Sequence, residues 1–129
     1  MTRDVIAAPR GTVMVVDDDA DIRDVLVTVL EDAGFRVVTA ANGLEALARL
    51  QEGPLPSVVL LDLMMPVMDG YAFRALQQDD PMLNAIPTLV LTAGAVTPRV
   101  EALNTAGIIK KPVGRAALIH VIRRAILAP

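Results

Sequence analysis

Four consecutive aliphatic residues, Val58-Val59-Leu60-Leu61, run directly into a carboxylate at Asp62. An apolar run without polar alternation reads as a strand buried on both faces, which belongs inside a parallel sheet covered by helices. Pro66 and the Asp69-Gly70 pair stop the strand soon afterwards. In open α/β sheets, ligands sit at the carboxyl ends of strands, so Asp62 stands where chemistry is usually done. A lone buried carboxylate is costly, and a structural aspartate would instead cap the following helix. This stretch alone leaves both readings of Asp62 open.

The rest of the chain repeats the alternation. Residues 1–11 read as a loose tail, and residues 12–129 as one domain. Val13-Met14-Val15-Val16 is a first short strand, ending on Asp17-Asp18-Asp19. Ile22, Val25, Leu26, Val29, Leu30 and Ala33 follow at helical spacing, with Gly34 as the residue that closes the helix. Residues 35–40 predict a second strand, Asn42-Gly43 a turn, and residues 44–50 a second helix stopped by Gly53-Pro54. After Asp62, residues 71–78 predict a third helix, followed by a polar loop through Asp79-Asp80-Pro81. Residues 88–91 make a fourth strand ending on Thr92-Ala93-Gly94, and Pro98 opens a short helix over 98–105. Ile108-Ile109-Lys110 is a fifth strand ending at Lys111-Pro112, and residues 115–127 form the last helix, with Leu118, Ile119, Ile122 and Ile126 inward.

Strict alternation of short strands and helices means a doubly wound α/β fold with a parallel sheet. With five strands, the flavodoxin-like order 2-1-3-4-5 is the common solution. The expectation is therefore a five-stranded parallel sheet with five helices, the fourth shortened. At 129 residues, 53% of them hydrophobic, the chain is one domain able to bury about two-thirds of its unfolded surface. No apolar run approaches the ~20 residues of a membrane helix, and the N-terminus lacks a signal peptide's long apolar core. The absence of cysteine excludes disulfides, thiolate catalysis and cysteine-based metal sites. These features suggest the cytoplasm. A net charge of −3 and only three aromatic residues, Phe35, Tyr71 and Phe73, argue against direct binding of nucleic acid.

The strand order gathers Asp17 and Asp18, Asp62, Thr92 and Lys111 at one edge of the sheet. Converging carboxylates repel unless a cation lies among them. All the available ligands are oxygens, which favours a hard ion such as Mg²⁺. A metal, a nucleophilic carboxylate, a hydroxyl and a lysine are what phosphoryl transfer requires, since it is mainly positioning and charge neutralisation.

Val15-Val16-Asp17-Asp18-Asp19, the stretch from Leu60 to Gly70, Leu91-Thr92-Ala93 and Lys111-Pro112 together closely resemble the receiver domain of two-component response regulators, of the kind found in chemotaxis regulators. The resemblance covers about residues 12–127. It implies a phosphoacceptor switch in which Asp62 takes a phosphoryl group from the phosphohistidine of a sensor kinase or histidine phosphotransfer protein. By the same resemblance Asp18 ligates Mg²⁺ directly, Asp17 does so largely through water, and the backbone carbonyl of Met64 completes the protein ligands. Lys111 pairs with the phosphoryl oxygens, Thr92 swings to hydrogen-bond one of them, and the Lys111-Pro112 bond is cis. Such a domain catalyses only its own phosphorylation and dephosphorylation; it is not a turnover enzyme. A downstream protein partner is possible, with no membrane contact and a monomer or weak dimer as the state.

Other residues have plainer readings. Asp19 and Asp21 begin and cap the first helix, where negative charge suits the helix dipole. Asp17, Asp19 and Asp21 imitate the start of a calcium loop, but Ile22 occupies the place of the turning glycine. Met64, Met65 and Met68 read as loop and core packing, Tyr71 and Phe73 as anchors of the third helix, and His120 as a surface or groove residue. Two departures from the family pattern stand out. Ile108 takes the switch position usually held by an aromatic ring, and the stretch from Thr92 to Lys111 is short, so the fourth helix is curtailed. The competing functions are a degenerate receiver used as a binding adaptor and a haloacid-dehalogenase-like phosphatase. The first usually lacks the acids or lysine present here. The second needs an acid-base aspartate two residues after its nucleophile, where this chain has Met64, and a cap insertion that it lacks. No output domain follows Pro129, which fits either a stand-alone receiver or a domain of a longer chain.

Overall fold

The computed structural model describes residues 10–128. The proposed tail lies outside the described residues through position 9. At its end, Arg10 N–H donates to the Gly34 carbonyl and Gly11 O accepts from Arg36 N–H, so both hydrogen-bond to the chain flanking the sheet edge. Among the described residues the chain forms five strands and six helices: β1 (Thr12–Val16), α1 (Ala20–Asp32), β2 (Arg36–Ala40), α2 (Gly43–Glu52), β3 (Val58–Leu61), α3 (Gly70–Asp79), α4 (Pro81–Asn84), β4 (Thr88–Thr92), α5 (Pro98–Glu101), β5 (Gly107–Lys110) and α6 (Arg115–Leu127). All strand pairings are parallel, in the order β2-β1-β3-β4-β5. The flavodoxin-like expectation holds. No helix among the described residues is long and apolar enough to cross a membrane.

Side-chain alternation assigns each strand residue to a layer. Val13, Val15, Val58, Leu60, Leu89, Leu91 and Ile109 face one side, where Leu26 and Leu30 of α1 and Leu118 and Ile122 of α6 cover them. Met14, Val16, Val59 and Leu61 face the other, against Ala46 and Leu50 of α2, Phe73 of α3 and Leu83 of α4. A third, smaller cluster of Leu63, Val90 and Val100 fills the corner under α5, with Tyr71, Leu103 and Ile108 packed against it.

The helix boundaries follow from local chemistry. Asp19, Asn42, Asp69, Asp80 and Thr97 each accept a backbone N–H in the first turn of the helix they precede. Helix α1 ends in a Schellman motif: Phe35 N–H reaches Leu30 O at 3.1 Å and Gly34 N–H reaches Glu31 O at 3.0 Å. Gly34 stands at φ 96°, where a Cβ would be strained.

Three expectations need correction. There are six helices rather than five, because Asp80 and Pro81, expected to lie in a loop, are the N-cap and first residue of the four-residue α4. Asn42-Gly43 is not a turn between elements but the cap and first residue of α2. The helix expected over 98–105 stops at Glu101, and Asn104 then takes φ 56°, which a helix cannot continue through. The carbonyls freed there, Leu103 O and Asn104 O, accept from the Arg74 guanidinium at 3.0 and 2.8 Å.

Candidate functional site

The carboxyl ends of β1, β3, β4 and β5 bring the five expected side chains Asp17, Asp18, Asp62, Thr92 and Lys111 to one edge. Asp17 follows β1 and is 2% exposed. Its Oδ1 accepts from the Asp19 N–H at 2.9 Å, and its Oδ2 receives the Lys111 ammonium at 3.1 Å. The Arg23 guanidinium donates to the Asp17 carbonyl at 2.7 Å, which fixes the backbone of the acidic run. Asp18 is exposed and Asp62 half-buried. One carboxylate oxygen from each of Asp17, Asp18 and Asp62 lies within 4.8 Å of the others.

Burial raises the Asp62 carboxyl above the usual carboxylate range, and the negative charges of Asp17 and Asp18 add to this; Lys111 and the Met64 N–H oppose it. The Met64 N–H lies 3.5 Å from Asp62 Oδ1, at the outer limit of a hydrogen bond. A divalent cation among the three carboxylates would offset their repulsion, and an all-oxygen donor set suits Mg²⁺. The residues fit that ion.

Lys111 follows β5 behind a cis Lys111–Pro112 bond, and its N–H donates to the Thr92 carbonyl at 2.8 Å. Lys110, its neighbour, is exposed. Thr92 is buried at the end of β4, but its hydroxyl oxygen accepts the Gly94 N–H at 3.0 Å, and no hydrogen bond joins it to Asp62 among the described residues. Ile108 is apart from the cluster, half-buried in the α5 corner. Asp19 caps α1 as expected. Met64 projects into solvent, whereas Met65 is in the core.

The loop after Asp62 is held from both sides. Val67 takes φ 68° inside a three-residue turn closed by Met68 N–H on Pro66 O at 2.8 Å. The Gly43 N–H then donates to Met68 O at 2.9 Å, and the Gly70 N–H to Leu63 O at 2.9 Å. Gly70 approaches so closely that a Cβ there would lie 2.5 Å from the Asp62 carbonyl oxygen. The glycine is therefore part of what positions the carboxylate, a role the sequence shows only as a turn signal.

A buried polar network also escaped the sequence reading. Arg74, 6% exposed, donates to Gln77 Oε1 at 2.9 Å as well as to the two carbonyls beyond α5. Gln77, with no exposure, donates to Leu83 O at 3.0 Å and to Thr88 Oγ1 at 2.9 Å. Positions 70, 73, 74 and 77 share the inner stripe of α3, so two polar residues at core spacing were the available signal.

The sequence profile described as Response regulator receiver domain matches residues 13–123. The chain belongs to the response regulator receiver family. Response regulator receiver protein CpdR of Brucella abortus is 35% identical over 117 residues, covering 90% of this chain and 97% of that protein. DNA-binding transcriptional regulator NtrC of Salmonella typhimurium is 46% identical over 85 residues, which are 65% of this receiver but 17% of NtrC. The receiver thus spans nearly all of some relatives and a small part of others. Chemotaxis response regulator CheY4 of Vibrio cholerae superposes with a TM-score of 0.80 at 32% identity, covering 88% of this chain and 97% of that one.

Proposed function

We propose that this receiver is a phosphoacceptor switch of a two-component or phosphorelay system, with Asp62 as the residue phosphorylated. The observation that carries the reading is the carboxylate cluster: Asp62 half-buried at the end of the central strand, with Asp17 and Asp18 within 4.8 Å and the Lys111 ammonium on Asp17. An Asp62 carboxylate oxygen attacks the phosphorus of a phosphohistidine in a sensor kinase or histidine phosphotransfer protein. The O–P bond forms, the P–N bond breaks, and the imidazole leaves and takes up a proton.

Asp18, Asp62 and the backbone carbonyl of Met64 would hold Mg²⁺, with Asp17 acting through water. Bound there, the ion neutralises charge on the phosphoryl oxygens during transfer. Lys111, now paired with Asp17, supplies a cation to the same oxygens, and Thr92 can exchange its Gly94 contact for one of them. Asp17 restrains Lys111 and so positions it. The domain acts only on itself, through its own phosphorylation and dephosphorylation. The phosphatase alternative is disfavoured because Met64, at the offset of the required acid, bears a thioether that cannot donate a proton. An adaptor without phosphorylation would not need Asp17, Asp18, Asp62 and Lys111 gathered at one edge.

Incubation with phosphoramidate and Mg²⁺, followed by intact-mass measurement, tests this reading. The mass should rise by one phosphoryl group in the wild type and in Asp19→Asn, and not in Asp62→Asn. Labelling that survives in Asp62→Asn would overturn the assignment.

A further inference from the structure

The charges of this chain are segregated along its length. All fifteen acidic residues stand at or before Glu101, and beyond it come Lys110, Lys111, Arg115, Arg123 and Arg124 with no acid among them. Helix α6 turns its aliphatic side chains Leu118 and Ile122 into the core and leaves Arg115, His120, Arg123 and Arg124 exposed. Its outward surface therefore carries no negative charge. Between the first turns of α6 and the end of α1 lies an open groove of ≈ 490 Å³, lined by Ala33, Arg115, Ala116, Ile119, His120 and Arg123. The floor is small and aliphatic, and two guanidinium groups and an imidazole form the walls. Asp32 stands at the rim, 3.9 Å from Arg115, but both side chains are more than half exposed and the pair is weak.

We propose that this groove is a docking surface for an acidic segment of a partner protein. Carboxylates of that segment pair with Arg115 and Arg123, whose planar groups suit bidentate contact. An apolar side chain of the segment rests on Ala33, Ala116 and Ile119. Nucleic acid fits less well: no phenylalanine, tyrosine or tryptophan lines the groove as a stacking platform, and an acid-rich chain repels a phosphate backbone. A bilayer fits less well again, because the apolar side of α6 is committed to the core and cannot insert. The groove lies at the far end of α1 from the carboxylate cluster, so the proposal stands apart from the phosphorylation chemistry.

The test is fluorescence anisotropy with a labelled peptide of four Glu-Glu-Leu-Ala repeats and its Lys-Lys-Leu-Ala counterpart, using the unphosphorylated full chain. The acidic peptide should bind and the basic one should not. Affinity should fall about tenfold as salt rises from about 50 to about 300 mM, because exposed charges are screened. Arg115→Glu/Arg123→Glu should weaken binding by about tenfold or more, as truncated or reversed charge pairs do at interfaces. The same variant should keep its circular dichroism spectrum and phosphoramidate labelling. Arg36→Glu/Arg49→Glu, equal in charge change but on the β2–α2 side, should bind as the wild type does. Loss of binding in both double variants would reduce the effect to net charge and overturn the proposal. So would binding that survives in Arg115→Glu/Arg123→Glu, tighter binding of single-stranded DNA or phosphatidylglycerol vesicles than of the acidic peptide, or a sedimenting dimer of the wild type that the reversal dissolves.

Discussion

Replacing Gln77 with leucine isolates the buried network, because the two side chains are close in volume and only the polar atoms are lost. In the folded chain Gln77 Oε1 accepts from the Arg74 guanidinium, and Nε2 donates to Leu83 O and Thr88 Oγ1. Removing it leaves one arm of a buried cation unpaired and takes a donor each from Thr88 and from the Leu83 carbonyl, which keeps the Ile86 N–H at 3.1 Å. Leaving a buried hydrogen-bonding group unsatisfied costs about 1–3 kcal/mol, and more when the group is charged, as Arg74 is. Arg74→Met acts in the opposite direction on the charge. It relieves the desolvation that lowers the Arg74 pKa, and the carbonyls it frees are next to solvent: Asn104 is exposed and Leu103 half-exposed. Gln77 Oε1 also keeps Thr88 as a donor at 3.1 Å. That variant should cost only about 1–2 kcal/mol, the worth of ordinary net hydrogen bonds.

In the double variant the orphaned cation is gone, so the loss should fall short of the sum by about 1–3 kcal/mol. Urea unfolding followed by far-ultraviolet circular dichroism measures all three, since the chain lacks tryptophan. If Gln77→Leu were no more costly than Arg74→Met, or the two effects simply added, the network would not be the coupled unit described.

Asp62→Asn should stabilise the metal-free domain at neutral pH. A carboxyl whose folded pKa is raised binds more protons folded than unfolded, so its ionisation lowers stability as pH rises from 3.8 through the folded value. The melting-temperature advantage of Asp62→Asn should shrink on acidification, and an advantage that grew instead would contradict the shift. Gly70→Ala drives a methyl group onto the Asp62 carbonyl, and should cost about 1–3 kcal/mol or more by overpacking while slowing phosphoramidate labelling. Wild-type stability with wild-type labelling would show that the backbone yields freely there. Val67→Asn replaces an exposed β-branched residue at φ 68° with one that tolerates that conformation, and should stabilise by about 1 kcal/mol in urea. On phosphorylation, amide exchange should change in residues 63–70 and 93–97 and little in residues 107–127; strong new protection over β5 and α6 would refute a confined response.

The sheet order and the carboxylate cluster were legible because each rests on a repeated local signal. Short apolar strands end on Asp17, Asp62, Thr92 and Lys111, and the alternation with helices fixes which ends meet. What was not legible depends mostly on tertiary partners. Asp80-Pro81 carries a helix start, yet four residues of helix look like loop until Leu83 is seen in the core. Asn42-Gly43 suits a turn as well as a cap, and what decides it is Glu45, whose N–H donates to Asn42 Oδ1 at 2.8 Å while its carboxylate accepts the Ala41 N–H at 3.0 Å. The early end of α5 is set by Arg74, thirty positions before Asn104, and no window along the chain contains both.

With Asp62 as the proposed phosphoacceptor, the same arrangement favours a local response. Helix α5 is tied to α3 at two places: Arg99 lies over the Tyr71 ring at 3.7 Å, and Arg74 holds Leu103 and Asn104. Between Thr92 and Pro98 the chain is exposed throughout. Moving the Thr92 hydroxyl from Gly94 to a phosphoryl oxygen exchanges one hydrogen bond for a charge-assisted one, a gain of about 1–2 kcal/mol. Freeing α5 would require stripping the buried Arg74 of two carbonyls and giving up a cation–π contact, each worth about as much. The exposed segment is the softer element, so it takes up the movement. Ile108, packed among Val90, Val100 and Leu103, has no polar atom whose burial could change sign between the two states. A ligand shifts an equilibrium only by its differential affinity, and for a phosphoryl group on Asp62 that difference should fall on the loops beside it.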